Sequence, residues 1–401
     1  VTKAYIVGTA DTKGPELEYV RDLIRASGIE TVLVNVGTRG GEQFADIPAA
    51  KVAACHPDGP AAVFLNDRGS AVVEMSRALR AFVGARSDLA GIIGLGGSGG
   101  SGIIAPAMQA LPIGIPKVLV STLASGDVSA YVGASDVNMF HPVTDVSGLN
   151  RVSRRLLGNA AHALSGMMAN QIPDHSDDRP AVVLSMFGVT TPAVQAISQG
   201  LSDEFDCLVF HATGSGGRSM EQLVNQGDAS AVLDITTTEI CDLLVGGFLS
   251  AGETRLDCIA RNHVPYVGSC GALDMVNFWG PASVPSQFKD RHFYHHNAQV
   301  TLMRTTAEEC ANIGSWIGSK LNASKGPVRF LLPLRGVSAL DVEGGAFHDP
   351  EANEALFGAL RKTVRQTAER QLVELDLHIN DPAFAAAAIS NFQEIFTGKG
   401  A

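Results

Sequence analysis

The sequence predicts an α/β protein of two Rossmann-like subdomains, each with a mostly parallel sheet, with a cleft between them. Three observations predict it: short apolar runs alternate with helix-period segments, that rhythm restarts near residue 180, and glycine-rich loops fall where the strands end. With 401 residues, 45% of them hydrophobic, the chain can build two cores.

The first strands are read from the apolar runs Ala4–Val7, Thr31–Val36, Gly91–Leu95 and Pro116–Val120, each bounded by Gly and followed by a helical pattern. Ser147–Asn170 reads as a long helix with Arg151, Arg154 and Arg155 on its polar side. The polar, proline-bearing stretch Gln171–Pro180 follows and sets the domain boundary, giving 1–175 and 176–401. The second half reads as strand Ala181–Phe187, helix Thr191–Leu201, strand Cys207–His211, helix Ser219–Gln226, strand Ala231–Ile235 and helix Glu239–Leu249. Late in the chain come a strand at Val328–Leu332, an Asp349-Pro350 helix start, and a strand at Gln371–Leu377 before a terminal helix. The two halves open alike. A strand runs to Gly8 and the next to Gly37-Thr38-Arg39-Gly40-Gly41-Glu42, while Gly188 leads to Gly214-Ser215-Gly216-Gly217-Arg218. That pattern is either an internal duplication or the ordinary likeness of any two β-α-β units.

A formal net charge of -11 with no basic patch argues against nucleic acid or an anionic membrane as partner, so the expected ligand is small. Six dispersed cysteines without a C-x-x-C pair fit reduced thiols and argue against structural zinc. No run approaches the roughly 18 apolar residues of a membrane span, and the sequence enters a strand without a leader, so the expected compartment is the cytoplasm.

Parallel sheets bind ligands beyond their strand ends, where helix N-termini offer free N–H groups. Four loops of the first half lie there: Gly8-Thr9-Ala10-Asp11-Thr12-Lys13-Gly14; Gly37–Gly41 with Arg39; Gly94–Gly102; and Ser121-Thr122-Leu123-Ala124-Ser125-Gly126-Asp127. In the third, Gly96-Gly97-Ser98-Gly99-Gly100-Ser101-Gly102 bares enough backbone to approach phosphate oxygens. NAD is disfavoured because the next strand ends in Ser121-Thr122 rather than an acid, and a Walker A loop fails for want of its Lys. Lys13 is a candidate for that missing charge. Asp11 either ligates Mg²⁺ through nucleotide phosphates or caps the helix near Gly14-Pro15. Ser121, Thr122, Ser125 and Asp127 are ligand contacts or helix caps.

These loops, together with Asp136-Val137-Asn138-Met139 and His211-Ala212-Thr213-Gly214, resemble the Tm-one-like ATP-binding family over nearly the whole chain. This is a bacterial and fungal family whose plant relative forms the N-terminal inhibitory domain of the tomato mosaic virus resistance protein. The resemblance implies two Rossmann-like subdomains, ATP with Mg²⁺ on the first, and a homo-oligomer. It does not imply the plant relative's partner.

The second half carries its own polar groups. Thr213, Gly214, Gly216, Gly217 and Arg218, with Gly271, are candidates to hold a phosphate or carboxylate, with Arg218 as a bidentate fork. His292, His295 and His296 with Cys270 or Asp274 suggest a metal, although packing roles suit such histidines as well. Catalytic candidates are His141, Cys270, Asp274 and His295; His141 belongs to a segment in which Asp145 or Ser147 is expected to cap the following helix. Leu334-Arg335-Gly336-Val337-Ser338, with Asp341 and His348, reads as a strand-end loop reaching the cleft or as plain surface. Three functions stay open. One is an ATP-dependent or ATP-regulated enzyme on a small anionic metabolite; another is a nucleotide-stabilised interaction module; the third is a hydrolase or lyase using the His/Cys/Asp cluster.

Overall fold

In the computed structural model, residues 2–39, 45–170, 172 and 179–396 are described. Gly40, Gly41 and Glu42, and most of Gln171–Pro180, lie outside them. The chain divides into two compact units, Val1–His175 and Ser176–Ala401.

The first unit is a five-stranded parallel sheet of β1 (Lys3–Gly8), β2 (Thr31–Asn35), β3 (Leu89–Gly96), β4 (Lys117–Ser121) and β5 (Asn138–Phe140), in the order β2-β1-β3-β4-β5. Both faces are covered, so its strands are near-continuous apolar runs. Ala4 and Ile6 pack with Leu17, Val20 and Leu157 of helices Ala10–Ala26 and Arg151–Ala169 on one face. Tyr5 and Val7 face the other way, onto Met75, Leu79 and Ile104 of helices Arg68–Gly84 and Ser98–Gln109. Each such aliphatic side chain contributes roughly 1.5–3 kcal/mol by leaving water. The helix Arg151–Ala169 is capped by Asn150 in a box with Ser153, not by Asp145 or Ser147 as expected, because Asn150 sits where the chain turns helical. Asp349 does cap helix Pro350–Thr363, accepting from the Ala352 N–H at 3.0 Å.

The second unit has a six-stranded parallel sheet of β6 (Ala181–Met186), β7 (Asp206–His211), β8 (Ala231–Thr236) and β9 (Tyr266–Gly271), then, after an inset, β13 (Val328–Pro333) and β14 (Arg370–Leu375). Its order is β14-β13-β9-β8-β6-β7. Counted from its own first strand this repeats the 2-1-3-4-5 order of the first unit, with a sixth strand added. The inset is an antiparallel sheet of β10 (Met275–Phe278), β11 (Phe293–Asn297) and β12 (Val300–Arg304). The helix expected over Glu239–Leu249 is only the turn Glu239–Cys241 and a π-turn Asp242–Gly246. It stops because the Asp242 carboxylate captures the backbone N–H groups of Asn277 (2.6 Å) and Leu249 (3.2 Å). Among the described residues no helix is long and apolar enough to cross a membrane.

Candidate functional site

In a sheet ordered 2-1-3-4-5 the helices after the first and third strands leave on opposite faces, opening a crevice between those strand ends. In the first unit it lies between the end of β1, with Gly8 and Thr9, and the end of β3, with Gly96 and Gly97. Helix Ser98–Gln109 begins there without a side-chain cap, so the N–H groups of Ser98, Gly99 and Gly100 are unused by the helix, whereas Ser101 N–H returns to Gly97 O at 2.9 Å. A methyl group on Gly96 would collide with backbone at Ser101, 2.6 Å away. Gly97, Gly99, Gly100 and Gly102 are different: a methyl group there would meet no atom closer than 3.5 Å. Packing does not demand glycine at these four positions; close approach of a ligand would.

Around this crevice Asn35, buried at the end of β2, accepts from the N–H groups of Ala10 (3.0 Å) and Gly37 (2.9 Å). Asp11 does not cap its helix; its carboxylate lies beside Gly37, 3.3 Å from where a methyl group there would stand. Thr9 and Thr12 share a hydroxyl bond of 2.7 Å. Lys13 breaks the helical conformation (φ −133°) and its ammonium donates to the Val146 carbonyl, while Gly14 is buried in the helix. Arg39 is exposed at the edge of the described loop. Ser101 and Ser121 are buried and bonded to each other at 2.7 Å, bracing the loops after β3 and β4, with Thr122 N–H on Gly96 O. Asp127 accepts the Ser129 N–H at 2.9 Å just ahead of the short helix Ser129–Val132, which holds its carboxyl below the usual range; Gly126 turns the chain before it. His141 is exposed beyond β5. Arg68 carries no signal in the sequence, yet it opens helix Arg68–Gly84 with a guanidinium nitrogen 3.6 Å from the methyl position of Gly99 and makes no ion pair among the described residues.

The anion nest expected in the second unit is already filled from within. Glu239 accepts the N–H groups of Gly214 (2.6 Å) and Gly217 (3.0 Å) through one oxygen and Arg255 Nε (2.9 Å) through the other. Arg255 also forks onto Asp234 (2.7 and 2.7 Å) and reaches Glu221 (3.1 Å). Burial opposes its charge, but these carboxylates hold its pKa above normal, and burial raises that of Glu221. A methyl group on Gly216 would lie 1.8 Å from His211 O, on Gly217 2.0 Å from Glu239, and on Gly271 2.3 Å from Ile235 O. Thr213 turns its hydroxyl onto His211 O, and Arg218 donates to Ser250 O at 3.1 Å. The Gly214 and Gly217 N–H groups are thus taken by Glu239, Gly216 and Gly271 are packed against backbone, and Thr213 and Arg218 hold backbone carbonyls, with Arg218 on the surface.

The His/Cys/Asp cluster is dispersed as well. Cys270 and Asp274 are buried, burial pushes the Cys270 thiol well up, and His295 is exposed on β11. Among the described residues no three His, Cys, Asp or Glu side chains gather to hold a metal. One small cavity of about 280 Å³ opens between the loop after β13 and helix Pro350–Thr363, lined by Leu334, Arg335, His348, Asn353, Phe357 and Arg361 among others.

The fold defines a doubly wound α/β protein of two units with the same core strand order. Residues 2–173 match the model described as the N-terminal domain of the uncharacterised protein family UPF0261, and residues 179–396 match its C-terminal domain. The chain belongs to this family. It is 57% identical to a UPF0261 protein of Rhizobium meliloti over 394 residues, 98% of this chain and 99% of that one. It is also 41% identical to the tomato (Solanum lycopersicum) ToMV resistance protein Tm-1(GCR237), over 98% of this chain and 56% of the tomato protein. The Tm-one-like resemblance therefore holds, with bacterial members alongside the plant one.

Proposed function

We propose that the first unit binds ATP with Mg²⁺ at the β1/β3 crevice and that the protein is an ATP-dependent or ATP-regulated enzyme acting on a small anionic metabolite. What carries the reading is the glycine set 97, 99, 100 and 102, whose bareness packing does not require, above three N–H groups the helix leaves free. Phosphate oxygens fit that cradle, and Arg68 is better placed than the engaged Lys13 to face them. Asp11 supplies the single carboxylate that Mg²⁺ needs when phosphates and water complete its shell. For the metabolite, the cavity beside Arg335 and His348 replaces the filled nest. We place the protein in the cytoplasm as a homo-oligomer; its six free thiols support the compartment.

Calorimetric titration of ATP with and without Mg²⁺ tests this. Saturable binding is expected in the wild type and lost in Gly99→Val while the melting temperature holds; an ATP-turnover screen of anionic metabolites follows. No binding to the wild type overturns the reading. A second reading, a nucleotide-stabilised interaction module, draws on the tomato relatives, whose names refer to resistance or susceptibility to ToMV. Under it ATP shifts partner capture or oligomer size without turnover, at the usual linkage of about 2.7 kcal/mol at hundredfold excess over Kd.

A further inference from the structure

Two buried carboxylates at the strand ends of the second unit each leave one oxygen unpartnered. Asp274, just past β9, accepts the Ser338 hydroxyl at 2.7 Å on Oδ2, and its Oδ1 has no hydrogen bond. Asp341, in the loop after β13, accepts Val337 N–H (2.9 Å) and Asn353 Nδ2 (2.7 Å) on Oδ2, and its Oδ1 is likewise bare. Exposure is 1% for Asp274 and 0% for Asp341. A buried carboxylate oxygen without a donor is costly, and two of them in electrostatic contact are costlier still.

We infer that Asp274 and Asp341 hold a single proton between them, and that this proton fastens the loop 334–349, a wall of the small cavity, to the end of β9. The charge around the pair agrees with one proton rather than none. Arg304, at the end of β12, spends its guanidinium on Thr305, Asn353, and the carbonyls of Phe347 and Asp349, so it brings one positive charge to the cluster but no hydrogen bond to either carboxylate. The other titratable groups facing Asp274 are the thiols of Cys241 and Cys310, both pushed up by burial and therefore neutral; His378 packs behind Ser338, donating to its carbonyl at 2.9 Å. Two carboxylates, one shared proton and Arg304 sum to zero. Burial, and then the Asp341 charge, raise the Asp274 pKa from 3.8 to about 7.

Elsewhere the loop is tied by Ala339 N–H on Val189 O (3.0 Å), His292 on Ala346 O (2.7 Å) and Arg304 Nε on Phe347 O (2.9 Å), so the pair governs its attachment to the end of β9. Ala272 N–H meets Val337 O at 2.9 Å, and Ser338 Oγ, while donating to Asp274, accepts the N–H groups of Leu340 and Asp341. Asn353 joins Asp341 to Arg304 and also lines the cavity, so ionisation of the pair is felt at the cavity wall. Sign follows from linkage. A carboxyl whose pKa is raised by folding binds its proton in the native state while the unfolded chain has lost it, so stability is full below the ordinary pKa and falls as pH rises toward about 7.

The test is carboxyl NMR on full-length protein labelled at aspartate, titrated from pH 4 to 9, with Asp274→Asn and Asp341→Asn alongside and amide protection of 334–349 measured on the same samples. One aspartate is expected to titrate near pH 7. That titration is absent in Asp274→Asn and moves to lower pH in Asp341→Asn. Protection of the loop in the wild type falls by up to about tenfold from pH 6 to 8 after correction for intrinsic exchange, and stays level in Asp274→Asn. The inference is overturned if no aspartate titrates above pH 5, if Asp341→Asn leaves the midpoint in place, or if the midpoint changes between sodium, potassium and magnesium buffers, which would put a cation where the proton is assigned. Should Asp274→Asn not fold, the wild-type and Asp341→Asn titrations decide alone.

Discussion

The two units carry the same crevice and treat it in opposite ways. Between β1 and β3 the strand ends carry glycines with room around them and a helix N-terminus with no cap. At the equivalent point, between β6 and β8, the hydroxyls of Thr190 and Thr236 bond across the gap at 2.8 Å, and Ser185 ties to Asp234 at 2.6 Å. The neighbouring glycine nest holds Glu239. One topology thus gives an uncapped, uncrowded glycine loop in one unit and a stitched, self-filled nest in the other. A glycine-rich loop by itself identifies neither; what distinguishes them is whether the chain supplies the anion.

Replacing the internal anion has the largest expected effect. Glu239→Ala strands the Gly214 and Gly217 N–H groups and leaves Arg255 with fewer counter-charges, so a loss of about 3–5 kcal/mol is expected in urea denaturation. Added sulfate should restore part of that loss in the variant and none in the wild type. If sulfate does nothing, the second nest is a packing motif without anion chemistry, and the comparison fails on that side.

Lys117→Met provides an intermediate case far from either crevice. Lys117 is fully buried at the start of β4, its ammonium donating to Asp136 (2.5 Å), Pro112 O (2.6 Å) and Ile115 O (3.1 Å). Asp136 remains half-exposed and can take up water, so the expected cost is about 1–3 kcal/mol. ATP titration of the surviving folded protein should be unchanged, since this pair lies at the opposite edge of the sheet from the crevice; a shifted affinity would extend the site beyond the strand ends.

The smallest and sharpest contrast is between two alanines. Gly217→Ala forces a methyl group to 2.0 Å from Glu239 and should cost about 1–3 kcal/mol by thermal or urea unfolding. Gly99→Ala, in the first turn of its helix with its nearest neighbour at 3.6 Å, should be within about 1 kcal/mol of wild type, on the stable side if anything, because alanine favours a helix. Equal costs at both positions would erase the distinction between a bare cradle and a filled one.

Much of this architecture is legible in the amino-acid string. Runs such as Gly91–Leu95 and Ala231–Ile235 are strands because both faces of the sheets are covered, and Gly94–Gly102 follows its strand as glycine loops in parallel sheets do. The filling of the second nest is not legible, since Glu239 lies 25 and 22 residues from its two donors and no local pattern announces the meeting. Arg68 escapes for the same reason: its relation to Gly99 exists only after helices Arg68–Gly84 and Ser98–Gln109 pack. The histidines of β11 lie on the edge strand of a small sheet, where His295 and His296 are exposed, and a burial pattern of that kind cannot be read from the run of histidines alone.

Glu239 is, in effect, a ligand covalently tethered beside its own receptor. Its local concentration is set by the fold and does not fall on dilution, so an outside phosphate must outcompete a carboxylate that never leaves the neighbourhood. The second glycine nest is therefore closed to outside anions by mass action within the chain itself, not by the shape of its backbone.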